Sequence, residues 1–537
     1  MISGFFVCGS LSSRVHLYHL SEASTLDTKD YCDPYINFCV YILFLWWCKR
    51  LVMRFPYKRY AVCFSSIFTL AFLPLHALAS ERIFDPLHAD ASKLINVWVK
   101  SQLDYLQIPY LSISYVKDQD VLFSGSYGQV ELNGAVDATS STISSICSVT
   151  KVFTATAIVM LAEQGKLNLN DSVADILPAL NVLNSEGESS DLNDIQVVHL
   201  LNHTSGLPRD TSHLYWSGPN HNFPTKKELY ESLSNQKRET RADKASSYSN
   251  LGYALLGQII EVVTGDSYSA FIEQEIFMPL RMSDSVVEMS ETSYGKNHAV
   301  GYTALNRNGL RTKASFYKTR AMQSAFGISS NASDMAKFIS WQFRLAQQSN
   351  TELMSPQSLL QMYETYHTQA ATNRGLAYEV QTSESGDVWV MHGGMCPGYT
   401  SYLQMNTTGK EGYAVVMSAN GVRPSSFIKD LKQILTKAAQ LQVDKENGQL
   451  FKEYEGFYDL NPWNSEVYVG SWGRDLVLLY LPVDSVKYAM YHYRKVDNDT
   501  FQRLEDGVLT DEFMVFNRDQ AGNVISVNND GSLHYKL

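Results

Sequence analysis

A strand–helix–strand order over about residues 81–440, followed by short β-rich runs to the C-terminus, predicts an α/β or α+β unit carrying a small antiparallel barrel or sandwich. Strand-like runs open the first unit, two strongly apolar helices fill its middle, and further strand-like runs close it. A polar stretch at 443–448 reads as the linker between the two parts. The 537 residues, 45% hydrophobic and 18% charged, exclude a disordered or collagen-like chain and call for roughly two to four domains.

In chain order, residues 86–105 show helical periodicity through Leu87, Leu94, Val97, Trp98 and Leu103. Runs at 111–116 and 121–127 flank Lys117-Asp118-Gln119-Asp120 and predict a β-hairpin. A long helix is expected after Ser148, carrying Val152, Phe153, Ala157, Ile158, Met160 and Leu161 and stopping at Gly165. The polar, irregular stretches 185–193 and 209–245 read as surface loops or small insertions. A second buried helix spans 251–264, strands return at 388–391, 399–405 and 413–417, and an amphipathic segment fills 425–440. Beyond the linker, β-rich runs recur at 467–470, 476–481, 488–493, 513–516 and 524–527, separated by Asn/Asp/Gly turns. Neither an internal repeat nor a low-complexity tract interrupts this pattern.

Lys and Arg number 44 against 55 Asp and Glu, and no basic cluster lies beyond residue 80, which excludes binding through nucleic-acid phosphates. From Met53, a basic start, an apolar stretch over 60–78 and Ala77-Leu78-Ala79 before Ser80 form a secretory signal pattern with cleavage after Ala79. Residues 1–52 have two readings: an upstream start-codon artefact with Met53 as the true start, or one limb of a membrane hairpin. Both put residues after 80 outside the cytoplasm, periplasmic or secreted, with membrane anchoring through the N-terminal segment under the second. Residues 1–79 hold seven basic and four acidic side chains, leaving 37 against 51 and a net charge of −14 in the mature chain. Only Cys147 and Cys396 remain there, and two cysteines in an oxidising compartment can pair.

Three motifs carry chemistry. Ser148-Val149-Thr150-Lys151 sets a hydroxyl and an amine on one helix face, where the amine can accept the hydroxyl proton if burial lowers its pKa. The spacing alone is weak, because Ser-x-x-Lys occurs six times, and a capping serine followed by a solvated lysine explains most instances. Tyr248-Ser249-Asn250 offers a phenol and an amide just before the second apolar helix, a position a core tyrosine would also fit. Met391-His392-Gly393-Gly394-Met395-Cys396 ends one strand and precedes another, and its glycines let a substrate backbone approach an edge strand; a tight bend is the bland alternative. His203 lacks a second ligand at metal-binding spacing and reads as a structural loop residue, so neither metal nor cofactor is expected. Trp389 and Tyr399 are core or pocket residues, and the tail aromatics Trp463, Trp472, Tyr480, Tyr488, Tyr491 and Tyr493 suit a barrel core.

In this order the motifs resemble the serine β-lactamase and penicillin-binding-protein superfamily, nearest the class C β-lactamase-related hydrolases. The segments His199–Pro208, Tyr248–Tyr253 and Phe326–Ala336 extend the likeness over about residues 90–440. The tail from 450 is similar to the lipocalin-like barrel of some of these hydrolases. The resemblance implies an antiparallel sheet flanked by helices, with a helical subdomain. It also implies that Ser148 is acylated, that Lys151 and Tyr248 move its proton, and that Asn250 orients Lys151 and the substrate amide. The N–H groups of Ser148 and Met395 would form an oxyanion hole, each donor contributing roughly 3–4 kcal/mol. His392-Gly393-Gly394 departs from the Lys-Thr-Gly common in β-lactamases, which removes a fixed cation and points towards esterases and D-amino-acid peptidases. Through the family, Cys147 and Cys396 are expected to form a disulfide across the site. The expectation is an exported serine hydrolase acting on a small-molecule ester or small peptide. The alternatives are a D-Ala-D-Ala carboxypeptidase or weak β-lactamase, and a penicillin-binding sensor without turnover.

Overall fold

The computed structural model describes residues 89–537, except 181, 184–188, 191, 348–350, 370–371, 441–450, 463–464 and 530. The signal and upstream segments, the linker and Trp463 lie outside the described residues. No helix among those described is long and apolar enough to cross a membrane.

The first helix, α1 (Ala89–Leu106), leads into the hairpin β1 (Tyr110–Lys117) and β2 (Asp120–Gly128). The sheet is completed by β3 (His367–Gln369), β4 (Thr372–Arg374), β5 (Glu379–Thr382), β6 (Val388–Cys396), β7 (Tyr399–Asn406) and β8 (Glu411–Met417). Its order is β2-β1-β8-β7-β6-β5-β4-β3, with every pairing antiparallel. The long return from residue 128 to 367 inserts β1 and β2 beside the last strand.

Alternation along β8 sorts the two layers. Ala414 and Val416 face a core built with α2 (Thr150–Glu163), α3 (Asn250–Thr264) and α4 (Ala332–Leu345), whereas Tyr413, Val415 and Met417 face α1 and α5 (Pro424–Ala438). Every residue of α2 from Thr150 to Leu161 is buried, which explains its all-round apolar sequence and makes Lys151 an exception requiring partners. Ser249 caps α3 by accepting from Gly252 N–H at 2.9 Å, and Gly265 ends it at φ +81°.

The tail forms an eight-stranded antiparallel barrel in simple sequence order from Gly456–Asp459 to Ser532–Tyr535, nearly closed by pairing of Tyr458 with Lys536. Tyr454, Tyr458, Phe501, Phe516 and Tyr493 fill its interior. Its outer face, through Tyr468, Trp472, Val477 and Leu479, joins the core of α1 and α5. Gln102 locks this contact by donating to Val483 O at 2.7 Å, and Gly473 N–H donates to Asp90 at 2.7 Å. Tyr480 and Tyr491 are half-buried against each other, whereas Tyr488 is 70% exposed and belongs to no core.

Two expectations need correction. Residues 209–245 are not merely surface insertion: they contain a helix, Lys226–Ser234, and bury Tyr215 and Phe223, whose rings pack with Phe326. Nor does the strand carrying Gly393 and Gly394 end at them. β6 continues to Cys396 in register with β7, and the bend falls at Pro397-Gly398, where Gly398 adopts φ +87°.

Candidate active site

Ser148 lies in a single 3-10 turn, Cys147–Val149, that feeds directly into α2, so it precedes the α-helix proper. Lys151, one turn on, is fully buried. Its Nζ is 3.2 Å from Ser148 Oγ, 2.8 Å from Asn250 Oδ1 and 2.8 Å from Ala325 O. Burial holds the amine well below the usual lysine range; Asp210 opposes that shift and Arg209 adds to it. Burial favours the neutral form, and the three contacts are compatible with it. Two N–H groups satisfy the amide and backbone oxygens, which can only accept, and the lone pair is left for the serine O–H.

Tyr248 enters from the extended segment before α3, with its phenol close enough to Ser148 to interact with it electrostatically. Burial pushes its phenol up to about 12, with the Ser148 contact and Arg209 as smaller opposing effects, so it stays protonated near neutral pH. His203 supports it from behind. Its ring packs against Tyr248 at a tilt of 33°, with centroids 4.4 Å apart, and its Nδ1 accepts from Ser249 N–H at 3.1 Å. His203 is a pillar of the motif, held at φ +63°.

Asn250 bridges Lys151 and Asp210, donating through Nδ2 to Asp210 Oδ1 at 2.7 Å. Its own backbone N–H donates to Arg209 O at 2.7 Å, which ties residues 209 and 210 to the start of α3.

The third motif arrives along β6. The strand β5 pairs with it only from Val388 to Met391, so among the described residues no strand pairs with the His392–Cys396 edge on that side. Gly394 is packed where a side chain could not fit: an added Cβ would lie 2.3 Å from Ile146 O and 2.2 Å from Ser401 Oγ. Cys396 is disulfide-bonded to Cys147, with Cα atoms 5.6 Å apart. Ser148 and Met395 are thus each adjacent to one anchor of that link. Met395 is 70% exposed.

His392 does not supply a cation. Burial drives its pKa down to about 3 rather than leaving it near the ordinary 6.5, and its Nδ1 is 2.8 Å from Gly393 O. Positive charge comes instead from residues with no sequence pattern. Arg209, Arg374 and Arg423 line a cleft of about 430 Å³ with Ser148, Tyr248, His392, Gly393 and Met395, opposed by Glu379. Arg209 lies 4.9 Å from the centre of the Tyr248 ring, and among the described residues neither Arg374 nor Arg423 pairs with a carboxylate. These arginines come from a loop, from β4 and from the residue before α5, so no spacing could have linked them.

Trp389 lines a neighbouring cleft, with Lys432 Nζ 4.2 Å from its ring, whereas Tyr399 is core, its hydroxyl donating to Ala299 O at 3.0 Å. Among the described residues no three His, Cys, Asp or Glu side chains converge as a metal site.

A family model described as "Beta-lactamase" matches residues 96–439. Protein flp of Staphylococcus aureus is 28% identical over 340 residues, 62% of this chain and 63% of that protein, so the chain spans less than two thirds of that relative's length. An octameric penicillin-binding protein homologue from Pyrococcus abyssi superposes with a TM-score of 0.55 at 23% identity, covering 83% of this chain and 99% of that one. A D-stereospecific amidohydrolase from Streptomyces gives 0.51 at 22% identity, covering 64% and 97%. These structural likenesses establish the fold.

Proposed function

The chain belongs to the β-lactamase family of serine hydrolases, and on that premise we propose that it is an exported acyl-enzyme hydrolase of esters or small peptides, those containing D-amino acids included. The observation that carries this reading is the buried amine of Lys151, 3.2 Å from Ser148 Oγ and held by the oxygens of Asn250 and Ala325.

Ser148 Oγ attacks the substrate carbonyl as its proton passes to Lys151, and the N–H groups of Ser148 and Met395 hold the resulting oxyanion. Tyr248, kept protonated by burial, hands its proton to the leaving group and recovers one from Lys151. Water then attacks the acyl ester and the same groups work in reverse. Export is supported by the signal pattern before Ser80 and by the Cys147–Cys396 bond, which suits an oxidising compartment.

The three arginines favour a second reading alongside the first. In a chain of net charge −11 a cleft carrying Arg374 and Arg423 against Glu379, with Arg209 beside its partner Asp210, attracts anions, so a peptide with a free carboxylate, as a carboxypeptidase would take, is also served. The test offers the mature chain a fluorophosphonate, p-nitrophenyl esters, a labelled penicillin and D-peptides with free or amidated C-termini, with Ser148 adducts read by mass spectrometry. Ester turnover with Ser148 labelling supports the hydrolase. Preference for the free carboxylate selects the carboxypeptidase. Lasting adducts without turnover of any probe would overturn both in favour of a sensor.

A further inference from the structure

Asp210 belongs to none of the three motifs, yet its carboxylate ends the hydrogen-bond chain that begins at the nucleophile. Oδ1 accepts from Asn250 Nδ2 at 2.7 Å and from the Tyr215 hydroxyl; Oδ2 lies 3.6 Å from Arg209 Nε. Its backbone oxygen accepts from Gln236 Nε2 at 2.8 Å, and its side chain is only 18% exposed. Asn250 in turn presents Oδ1 to Lys151 at 2.8 Å.

The two ends of an amide have the same shape and opposite hydrogen-bonding character. A carboxylate only accepts, so it holds Nδ2 towards itself and Oδ1 towards Lys151. In the flipped orientation the amide N–H would donate to the lysine lone pair and compete with Ser148 for it. A neutral side chain at 210 that both donates and accepts would permit either orientation. We propose that Asp210 is a positioning residue that locks the Asn250 amide so that the lone pair of Lys151 is directed to Ser148, with its negative charge facing that amine.

The inference rests on the serine-hydrolase reading of the same site. The charge effect is one among several at Lys151. Arg209 and Asp210 approach from the start of the 209–245 segment, Tyr248 and Tyr253 from α3 and its entry, His203 from the turn preceding residue 209, His392 from β6, and Arg374 from β4. Both histidines are held neutral by burial and both tyrosines are kept protonated, so among the described residues Asp210 is the anion that faces the amine.

The test follows fluorophosphonate labelling of Ser148 and p-nitrophenyl ester hydrolysis against pH in the full mature chain and in Asp210→Asn and Asp210→Glu. For Asp210→Asn, labelling and kcat fall about 10- to 100-fold with KM changed less than threefold, and the rising limb of the pH profile moves towards acid. Asp210→Glu, which keeps the charge, returns the limb to its wild-type place. Should Asp210→Asn fail to fold, Asp210→Ser is read in the same way. Labelling within twofold of wild type, or a fall in rate with an unmoved limb, overturns the proposal and leaves the serine-hydrolase reading standing. Failure of the wild-type chain to label at Ser148 overturns that reading, and the inference with it.

Discussion

Lys151 Nζ lies 3.2 Å from Ser148 Oγ inside a helix whose every residue from Thr150 to Leu161 is buried. An amine in that position is driven towards its neutral form, and the oxygens of Asn250 and Ala325 occupy its donors.

Replacing this amine gives the first prediction. Lys151→Met removes the base and lowers kcat for a p-nitrophenyl ester by on the order of 10²–10⁴. In the wild type, kcat/KM rises with pH through a limb well below the ordinary lysine value of 10.5, because the neutral amine is the active form. Tyr248, at about 12, imposes no fall below pH 11. A pH–rate profile checks both: the absence of a rise between pH 5 and 10 would contradict the first, and a fall below pH 11 would contradict the second.

Two adjacent glycines respond differently. Gly394→Ala forces a Cβ to within 2.3 Å of Ile146 O, separating β6 from the nucleophile turn, and costs about 1–3 kcal/mol with loss of ester hydrolysis. Gly393→Ala meets only the Tyr402 ring at 3.4 Å, so the protein keeps its melting temperature and changes chiefly in KM. Thermal melts and steady-state kinetics on the pair separate these outcomes.

The Cys147–Cys396 link closes 249 residues of chain. The double variant Cys147→Ala/Cys396→Ala is expected to lose about 2–5 kcal/mol in urea unfolding, by the chain-entropy account of cross-links. A loss below about 1 kcal/mol would show that packing of Gly394 against Ile146 holds the turn without it.

Acid should destabilise the fold through its buried histidines. His298, with both ring nitrogens unpartnered among the described residues, and His392 each have a folded pKa of about 3, against an unfolded value near 6.5. The folded state therefore binds fewer protons. The contribution is complete above about pH 6.5 and is lost as pH falls towards 3, at up to about 1.4 kcal/mol per pH unit for each histidine. Urea midpoints between pH 7 and 4 measure the slope, which His298→Leu should lessen.

Much of the fold was legible because periodicity survives in sequence. The hairpin at β1 and β2, the helix after Ser148 and the helix ending at Gly265 follow from alternation, continuous apolar runs and glycine stops. The expectation for 209–245 was poorer, because Leu214-Tyr215-Trp216 and Phe223 are isolated apolar spots among polar residues, and Tyr215 and Phe223 are buried against Phe326 and each other without any repeat.

The sequence by itself determined the local chemistry: a hydroxyl and an amine one helical turn apart, a phenol and an amide at the mouth of a second helix, and two glycines on a strand. These depend on neighbours within a few residues, and local geometry is written locally. Only the tertiary structure decided which of six Ser-x-x-Lys pairs is buried with partners. It alone revealed that His392 is neutral, that three unconnected arginines surround the cleft, and that Asp210 stands behind Asn250. Burial and Coulomb interactions depend on distance through space, and residues adjacent in the folded chain carry no common mark along it.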